Sequence, residues 1–316
     1  MRILVLLSIA FLLTACGEMN TDKIEKSDTN TSQFIQVLGI SQDAGFPQIA
    51  CKRDCCKKAF ENTSVGEMVT SIGIVDLNFT QKFLVEATPD ISYQLQHLNE
   101  SAGNEKTIDG IFITHAHIGH YTGLMYLGRE SLGANNIPVY AMPRMRSFLE
   151  NNGPWSQLIS LENITLENLE KDSPVALNAH LRITPFLVPH RDEFSETVGF
   201  KITGKSKSAL FIPDIDKWEK WKNDIVEEVK KVDYALLDAT FFKNGEIPRD
   251  MSEVPHPFVE ETVARFKGTS KETKQKIIFV HFNHSNPALN PEDPLRQELE
   301  AVGYRFAFQG MRLPLD

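Results

Sequence analysis

The sequence predicts an α/β fold built as a two-sheet sandwich in one domain. Short β-branched or aromatic runs follow one another with no helix between them, which does not suit a doubly wound sheet. Strands then alternate with helical patterns, and this order repeats loosely in the second half of the chain. From residue 34 onward there is no second linker, low-complexity run or short-period repeat, so residues 34–316 read as a single unit. A chain of 316 residues that is 41% hydrophobic and 24% charged is long enough to bury one large core. Its 33 Lys and Arg against 42 Asp and Glu leave a formal charge of −9. That balance argues against a basic face that neutralises phosphates, and no nucleic-acid partner is expected. Four Cys are too few for a disulfide scaffold.

The elements follow in order. Residues 34–40, 71–77 and 82–87 read as strands. Residues 108–114 form an apolar run that stops at a histidine, and 121–129 carry a helical pattern. Residues 137–141 lead through Pro143, suited to a first helical position, into a helix over 144–152. Residues 164–166, 181–188, 198–203 and 209–212 are further strands. Trp218, Trp221, Ile225 and Val229 recur at spacings of three and four, which predicts one helix over 217–231. The apolar strands 234–237 and 276–280 flank a helix near 258–266, and 291–302 make the last helix.

The N-terminus reads as a targeting segment. Residues 1–16 are MRILVLLSIAFLLTAC, with one charge and an apolar run too short to span a bilayer core of ~30 Å as a helix. Leu13-Thr14-Ala15-Cys16 resembles a bacterial lipobox, which implies a signal peptide over 1–15 and lipidation of Cys16. Residues 16–33 are polar and read as a flexible tether. The expectation is a domain anchored to a membrane through Cys16 in the cell envelope, on the non-cytoplasmic side and at the outer membrane. Gly17 after the anchor lacks the Asp associated with inner-membrane retention.

The strongest chemical signal is Thr114-His115-Ala116-His117-Ile118-Gly119-His120, just after a buried strand. Three imidazoles in six residues at a strand-to-helix turn place several nitrogen donors in one small volume. Imidazole suits zinc and other first-row metals, and a catalytic site uses three protein ligands plus an open water position. His190, Asp214 and His281 each follow an apolar strand, where a rigid scaffold can aim them. His97 and His180 have no such neighbours in the chain and read as ordinary histidines.

Five segments resemble the metallo-β-lactamase superfamily, and within it the PqqB family of pyrroloquinoline quinone biosynthesis. They are VLGISQDAGFPQIAC (37–51), HAHIGHYTGL (115–124), VPHRDEFSETVGF (188–200), IPDIDKW (212–218) and HFNHSNP (281–287). The resemblance covers nearly all of residues 34–315. It implies an αββα sandwich with the metals at one edge of the two sheets. It also implies that His115, His117 and His190 hold a first metal, that Asp214 bridges, and that His120 and His281 serve a second. The family pattern expects Asp just before the third histidine, where this chain has Gly119. The second site therefore loses a carboxylate, and a weaker site, completion by water or His284, or a one-metal enzyme are all open. PqqB proteins usually depart from the metal-binding pattern in this segment, whereas this chain keeps all three histidines.

The implied chemistry is hydrolysis of an ester, lactone or phosphodiester-type small molecule by metal-activated water, with one or two zinc ions, or iron or manganese. Asp214 would orient that water. Leu237-Asp238-Ala239-Thr240-Phe241 resembles a segment of phosphodiesterase relatives such as RNase Z in which an acidic residue orients a histidine. His256 is the candidate for that histidine, acting as acid towards the leaving group. Glu193 and Ser195 are expected beside the site, contacting ligands or substrate. Cys51, Cys55 and Cys56 form a separate cluster, and three readings are open for it. These are a structural metal, as in PqqB-like proteins, a disulfide with one spare thiol, or unpaired buried thiols. Two other readings of the whole chain compete with hydrolysis. One is an iron-dependent oxygenase of quinone-cofactor maturation; the other is a non-catalytic metal- or ligand-binding lipoprotein, suggested by Gly119.

Overall fold

The structure is a computed structural model and describes residues 31–104 and 106–316. The signal peptide, Cys16 and the tether up to residue 30 lie outside the described residues. Gln33, expected to fall in the tether, belongs to the first strand.

Two seven-stranded sheets face each other, as the succession of strands predicts. The first contains β1 (Gln33–Gly39), β2 (Ser71–Asp76), β3 (Gln81–Val85), β4 (Gly110–Phe112), β5 (Ile137–Ala141) and β6 (Ile164–Asn168). The second contains β7 (Val175–Asn178), β8 (Leu181–Leu187), β9 (Val198–Thr203), β10 (Ser208–Ile212), β11 (Tyr234–Asp238), β12 (Ile277–Val280) and β13 (Arg305–Phe306). The last strand, β14 (Arg312–Pro314), returns to the first sheet beside β1, so that its order is β14-β1-β2-β3-β4-β5-β6. The second runs β13-β12-β11-β10-β9-β8-β7. Each sheet is antiparallel through its early strands and parallel through its later ones, which is the loose repeat visible in the sequence.

Alternation along each strand sorts side chains between two cores. In β1, Ile35 and Val37 face the second sheet while Phe34 and Leu38 join the helical side. In β3, Phe83 and Val85 point inwards and Leu84 outwards. Phe112 of β4 stacks on Tyr140 of β5 at 4.3 Å and meets Phe200 of β9 edge-on at 5.8 Å, joining the sheets. Strands buried on both faces read as continuous apolar runs, and so they were visible in the sequence.

Helices α2 (Ile91–Ala102), α4 (Pro143–Asn151) and α5 (Trp155–Ser160) cover the outer face of the first sheet. Helices α6 (Ile225–Lys230), α7 (Val259–Arg265), α8 (Lys271–Gln275) and α9 (Pro294–Ala301) accompany the second. Two short helices, α1 (Asp54–Glu61) and α3 (Ile118–Tyr121), sit in loops at the functional edge. Pro143 occupies the first turn of α4, as expected. The helix expected over 217–231 is broken. A single 3₁₀ turn, Trp218–Lys220, precedes α6, and Asp224 caps α6 by accepting from Val226 N at 2.8 Å. The apolar face survives the break: both tryptophans are buried, and their indole N–H groups donate to Thr262 Oγ1 and Leu187 O. The pattern expected over 121–129 likewise becomes α3 and a 3₁₀ turn, Thr122–Leu127.

Strands β1, β3 and β4 run parallel to one another, as do β8, β10, β11 and β12. A parallel bridge between Ser41 and Phe282 joins the ends of β1 and β12. Carboxyl ends from both sheets therefore gather at one edge, where open α/β sheets place their ligand sites.

Candidate metal centre

The loop after β4 carries His115, His117 and His120; the loop after β8 carries His190 and the one after β10 carries Asp214. The loop after β12 begins at His281, whose φ of +68° turns the chain at once. These residues form two adjoining groups. His115, His117, His190 and Asp214 bring their donor atoms within 4.8 Å of one another, and Asp43, His120, Asp214 and His281 do the same. Asp214 belongs to both, as a bridging residue must. Its Oδ2 lies 3.2 Å from His115 Nε2 and 2.9 Å from His120 Nε2.

The hydrogen bonds behind the imidazoles fix which nitrogen faces the centre. Thr240 Oγ1 donates to Asp238 Oδ1 at 2.7 Å, so it accepts from His281 Nδ1 at 2.9 Å, leaving His281 Nε2 with a free lone pair. His115 Nδ1 lies 2.8 Å from Thr114 Oγ1, and His120 Nδ1 faces Glu86 at 3.3 Å. Both ring nitrogens of half-buried His190 are shielded from solvent and lack a hydrogen-bond partner, as does His281 Nε2. Unpaired buried ring nitrogens converging beside carboxylates are what an ion site requires and what a packed core avoids.

Charge says the same. Asp43, Glu86, Asp214 and Asp238 find their ion-pair partners among histidines alone, within the described residues. Burial would raise Asp214, but His281 and His190, with hydrogen bonds from His115 and His120, hold it well below the usual carboxylate range. Burial would lower His120, yet the charge of Glu86 and hydrogen bonds to Asp214, Asp43 and Glu86 hold it well above its ordinary value. Burial, partly countered by Asp214, drives His190 down to about 4, so it is a neutral donor at pH 7. This concentration of negative charge without Lys or Arg fits one or two divalent cations.

A family model described as a beta-lactamase superfamily domain matches residues 81–282, more than half of the chain. The chain belongs to the beta-lactamase superfamily. It is also similar to coenzyme PQQ synthesis protein B of Nitrosococcus oceani, at 26% identity over 89% of this chain and all of that one. Among solved structures it resembles Zn²⁺-bound PqqB from Methylobacterium extorquens, with a TM-score of 0.73 and 21% identity over 89% of this chain and all of that one. A diphosphatase from the PhnP family matches with a TM-score of 0.63 and 22% identity, over 89% of this chain and 96% of that one. These likenesses confirm the expected fold, and the donor groups found here suit a divalent metal.

Within this superfamily fold, the six expected ligands come together. His256 and Asp238 join them. His256 Nδ1 donates to Asp238 Oδ2 at 2.8 Å and lies 3.3 Å from Asp214 Oδ1. Burial lowers His256, but the charge and hydrogen bond of Asp238 outweigh it and raise its pKa. Asp238 also accepts from Ile215 N at 3.2 Å, bracing the segment that carries Asp214. Glu193 reaches His117, with Oε2 3.1 Å from Nε2. Ser195 also lies beside the site, supporting the ligand-bearing turn. Its hydroxyl accepts from Ala116 N and donates to Glu196 O, both at 2.8 Å, so it braces the histidine turn from within the protein.

His284 does not complete the second group. Its Nδ1 lies 3.5, 3.5 and 3.4 Å from the sulfurs of Cys51, Cys55 and Cys56. The three Cys are free thiols, with Cys55 and Cys56 Sγ 4.0 Å apart, which sets aside the disulfide reading. An ideal tetrahedral zinc site, with Zn–S of about 2.3 Å and Zn–N of about 2.0–2.1 Å, has S···N edges near ~3.6 Å and S···S edges near ~3.8 Å. The three S···N separations and the Cys55–Cys56 separation lie close to those edges, and all four donors fall within 4.8 Å of one another. Adjacent Cys55 and Cys56 reach one point because α1 turns beneath them and the fourth donor arrives from another loop.

Three residues escaped the sequence reading. Thr240 sits between His256 and His281, within the segment already quoted around Asp238. Glu86, fully buried just past β3 with φ of +78°, backs His120; an acidic residue closing an apolar strand was its signal. Asp43 Oδ1 lies 3.0 Å from His120 Nε2, and only its place after β1, in Ser41-Gln42-Asp43-Ala44-Gly45, hinted at it.

Proposed function

We propose that this protein is a metal-dependent hydrolase acting on a small ester, lactone or phosphodiester-type substrate. The observation that carries the reading is the buried Asp238–His256 pair pressed against the histidine centre. Hydrolysis needs a proton for the leaving group, which this pair supplies and an oxygenase would not require. A divalent cation held by these residues would lower the pKa of its water from ~15.7 to ~7 and polarise the scissile group. Asp238 fixes the tautomer: with His256 Nδ1 donating to its carboxylate, Nε2 is the atom that delivers a proton. Asp214 orients a nucleophile between the two ligand groups. A cavity of about 280 Å³ is lined by His256, Gln42 and Asn283 together with Arg191 and Arg249, whose guanidinium groups suit an anionic substrate. Zinc is the favoured ion, with iron or manganese as alternatives.

His256→Ala is expected to lower turnover by about 10²–10⁴-fold with metal content unchanged. The assay uses bis-p-nitrophenyl phosphate and chromogenic esters and lactones. Silence of metal-loaded wild-type protein on all of them overturns the hydrolase reading, and loss of metal in the variant overturns the acid role.

Two further parts belong to the proposal. Cys51, Cys55, Cys56 and His284 hold a structural zinc. Cys16 carries a lipid that tethers the domain to the envelope, a reading that rests on the sequence of residues 1–16. Metabolic labelling with palmitate in the native host, lost in Cys16→Ser, tests it.

A further inference from the structure

We infer that Asp43, on the loop after β1, is a ligand of the second ion, and that residue 119 is glycine because Asp43 fills the space beside it. The inference rests on the metal-centre reading above and adds the origin of the missing carboxylate. Without Asp43, the second group holds His120, Asp214 and His281, and Asp214 is shared with the first. A fourth donor carrying negative charge is then needed near His120 and His281. Asp43 Oδ1 sits there, 3.0 Å from His120 Nε2 and 3.8 Å from His281 Nε2.

Gly119 marks the same place from the other side. A Cβ built on it would lie 2.5 Å from both Cα and Oδ1 of Asp43 and 2.9 Å from its Cβ. No real Cβ tolerates such contacts with backbone, so a side chain at 119 and an inward Asp43 exclude each other. The histidine turn has given up its own side chain, and a loop more than 70 residues earlier supplies one. That loop is held where it must be. Gln42 N donates to Phe282 O at 2.9 Å, and Asn283 Nδ2 donates to Gln42 Oε1 at 2.6 Å, both beside His281. Asp43 keeps 22% of its side chain exposed while His120, Asp214 and His281 are buried, so it is the ligand that faces solvent.

The test counts and locates zinc in the full-length wild type and in Asp43→Asn, Asp43→Ala and Gly119→Ala. Mass spectrometry gives ions per chain, anomalous diffraction at the zinc edge places them, and release to a competing chelator gives relative affinity. The wild type is expected to hold two ions at the histidine centre. Asp43→Ala and the shape-preserving Asp43→Asn should lose the ion at His120, Asp214 and His281, or bind it at least ~10–100-fold more weakly, while the other ion stays. Gly119→Ala removes no ligand and should lose the same ion by displacing Asp43. Two ions in both Asp43 variants, held as tightly as in the wild type, overturn this inference and leave the proposed function standing. A wild type with no ion at the histidine centre overturns both.

Discussion

Glu67 pairs by its backbone with Phe46, at the far end of the loop that carries Asp43. Burial, only partly offset by Arg296, raises its carboxyl to about 7, and Oε2 has no hydrogen-bond partner. A folded-state pKa above the unfolded value means that the native state binds the extra proton. This contribution is therefore fully present below pH ~4.5 and is lost as pH rises to about 7. Glu67→Gln is expected to flatten the fall in stability across that window by on the order of 1–2 kcal/mol, read from urea midpoints at pH 5 and pH 8. At this scale the histidine centre was legible because imidazoles cluster locally in residues 115–120 and the other ligands end apolar strands. Asp43 was not, because its role depends on the ends of β1 and β12 lying side by side, which no local pattern records. His284 lies three residues from a ligand and yet serves the thiols, since proximity in sequence does not decide the direction of a side chain.

The packing of α2 on the first sheet gives a prediction about elements. Gly73 of β2 lies under Leu98 of α2, and a Cβ at 73 would come within 2.4 Å of Leu98 Cδ1. Gly73→Ala is expected to destabilise by about 1–3 kcal/mol and Leu98→Ala by about 2–5 kcal/mol. The double variant should be less destabilised than the sum, because truncating Leu98 makes room for the new methyl. Equilibrium denaturation of the four proteins checks it. The thiol cluster supports a second prediction. Cys51 shares its loop with Asp43, and His284 follows His281, so a zinc held there fastens together the two segments that complete the second group. Burial pushes the Cys56 thiol to about 12, so all three sulfurs act as thiolates only with a cation present. Cys56→Ser is expected to speed proteolysis of the 41–51 loop and to weaken the ion beside His120, while the ion at His115, His117 and His190 stays. Limited proteolysis and chelator release measure the two effects. Strands were legible because burial on both faces makes them apolar throughout. Helix α2 has no counterpart among the expected elements, although Ile91, Leu95, Leu98 and Ala102 mark one face and Gly103 closes it at φ +63°. β13 and β14, two and three residues long, are too brief to carry a period at all.

For the molecule as a whole, strand succession without helices predicted two sheets, and the superfamily resemblance supplied which edge holds the site. What neither conveyed was the return of the last strand to the first sheet. β14 pairs with β1 through Phe34 and Pro314, and Ser32 Oγ donates to Asp316 Oδ2 across 284 residues of chain. A chain ending at residue 311 loses that strand, and it is expected to elute as aggregate in size-exclusion chromatography because β1 then presents a bare edge. The same closure sets an order in time. β1 precedes its partner β14 by nearly the whole domain, so one side of β1 stays unpaired while both sheets are being synthesised. The Asp43 loop hangs directly from that strand. During synthesis, therefore, the carboxylate that completes the second group hangs from the strand that waits across nearly the whole domain for one of its neighbours.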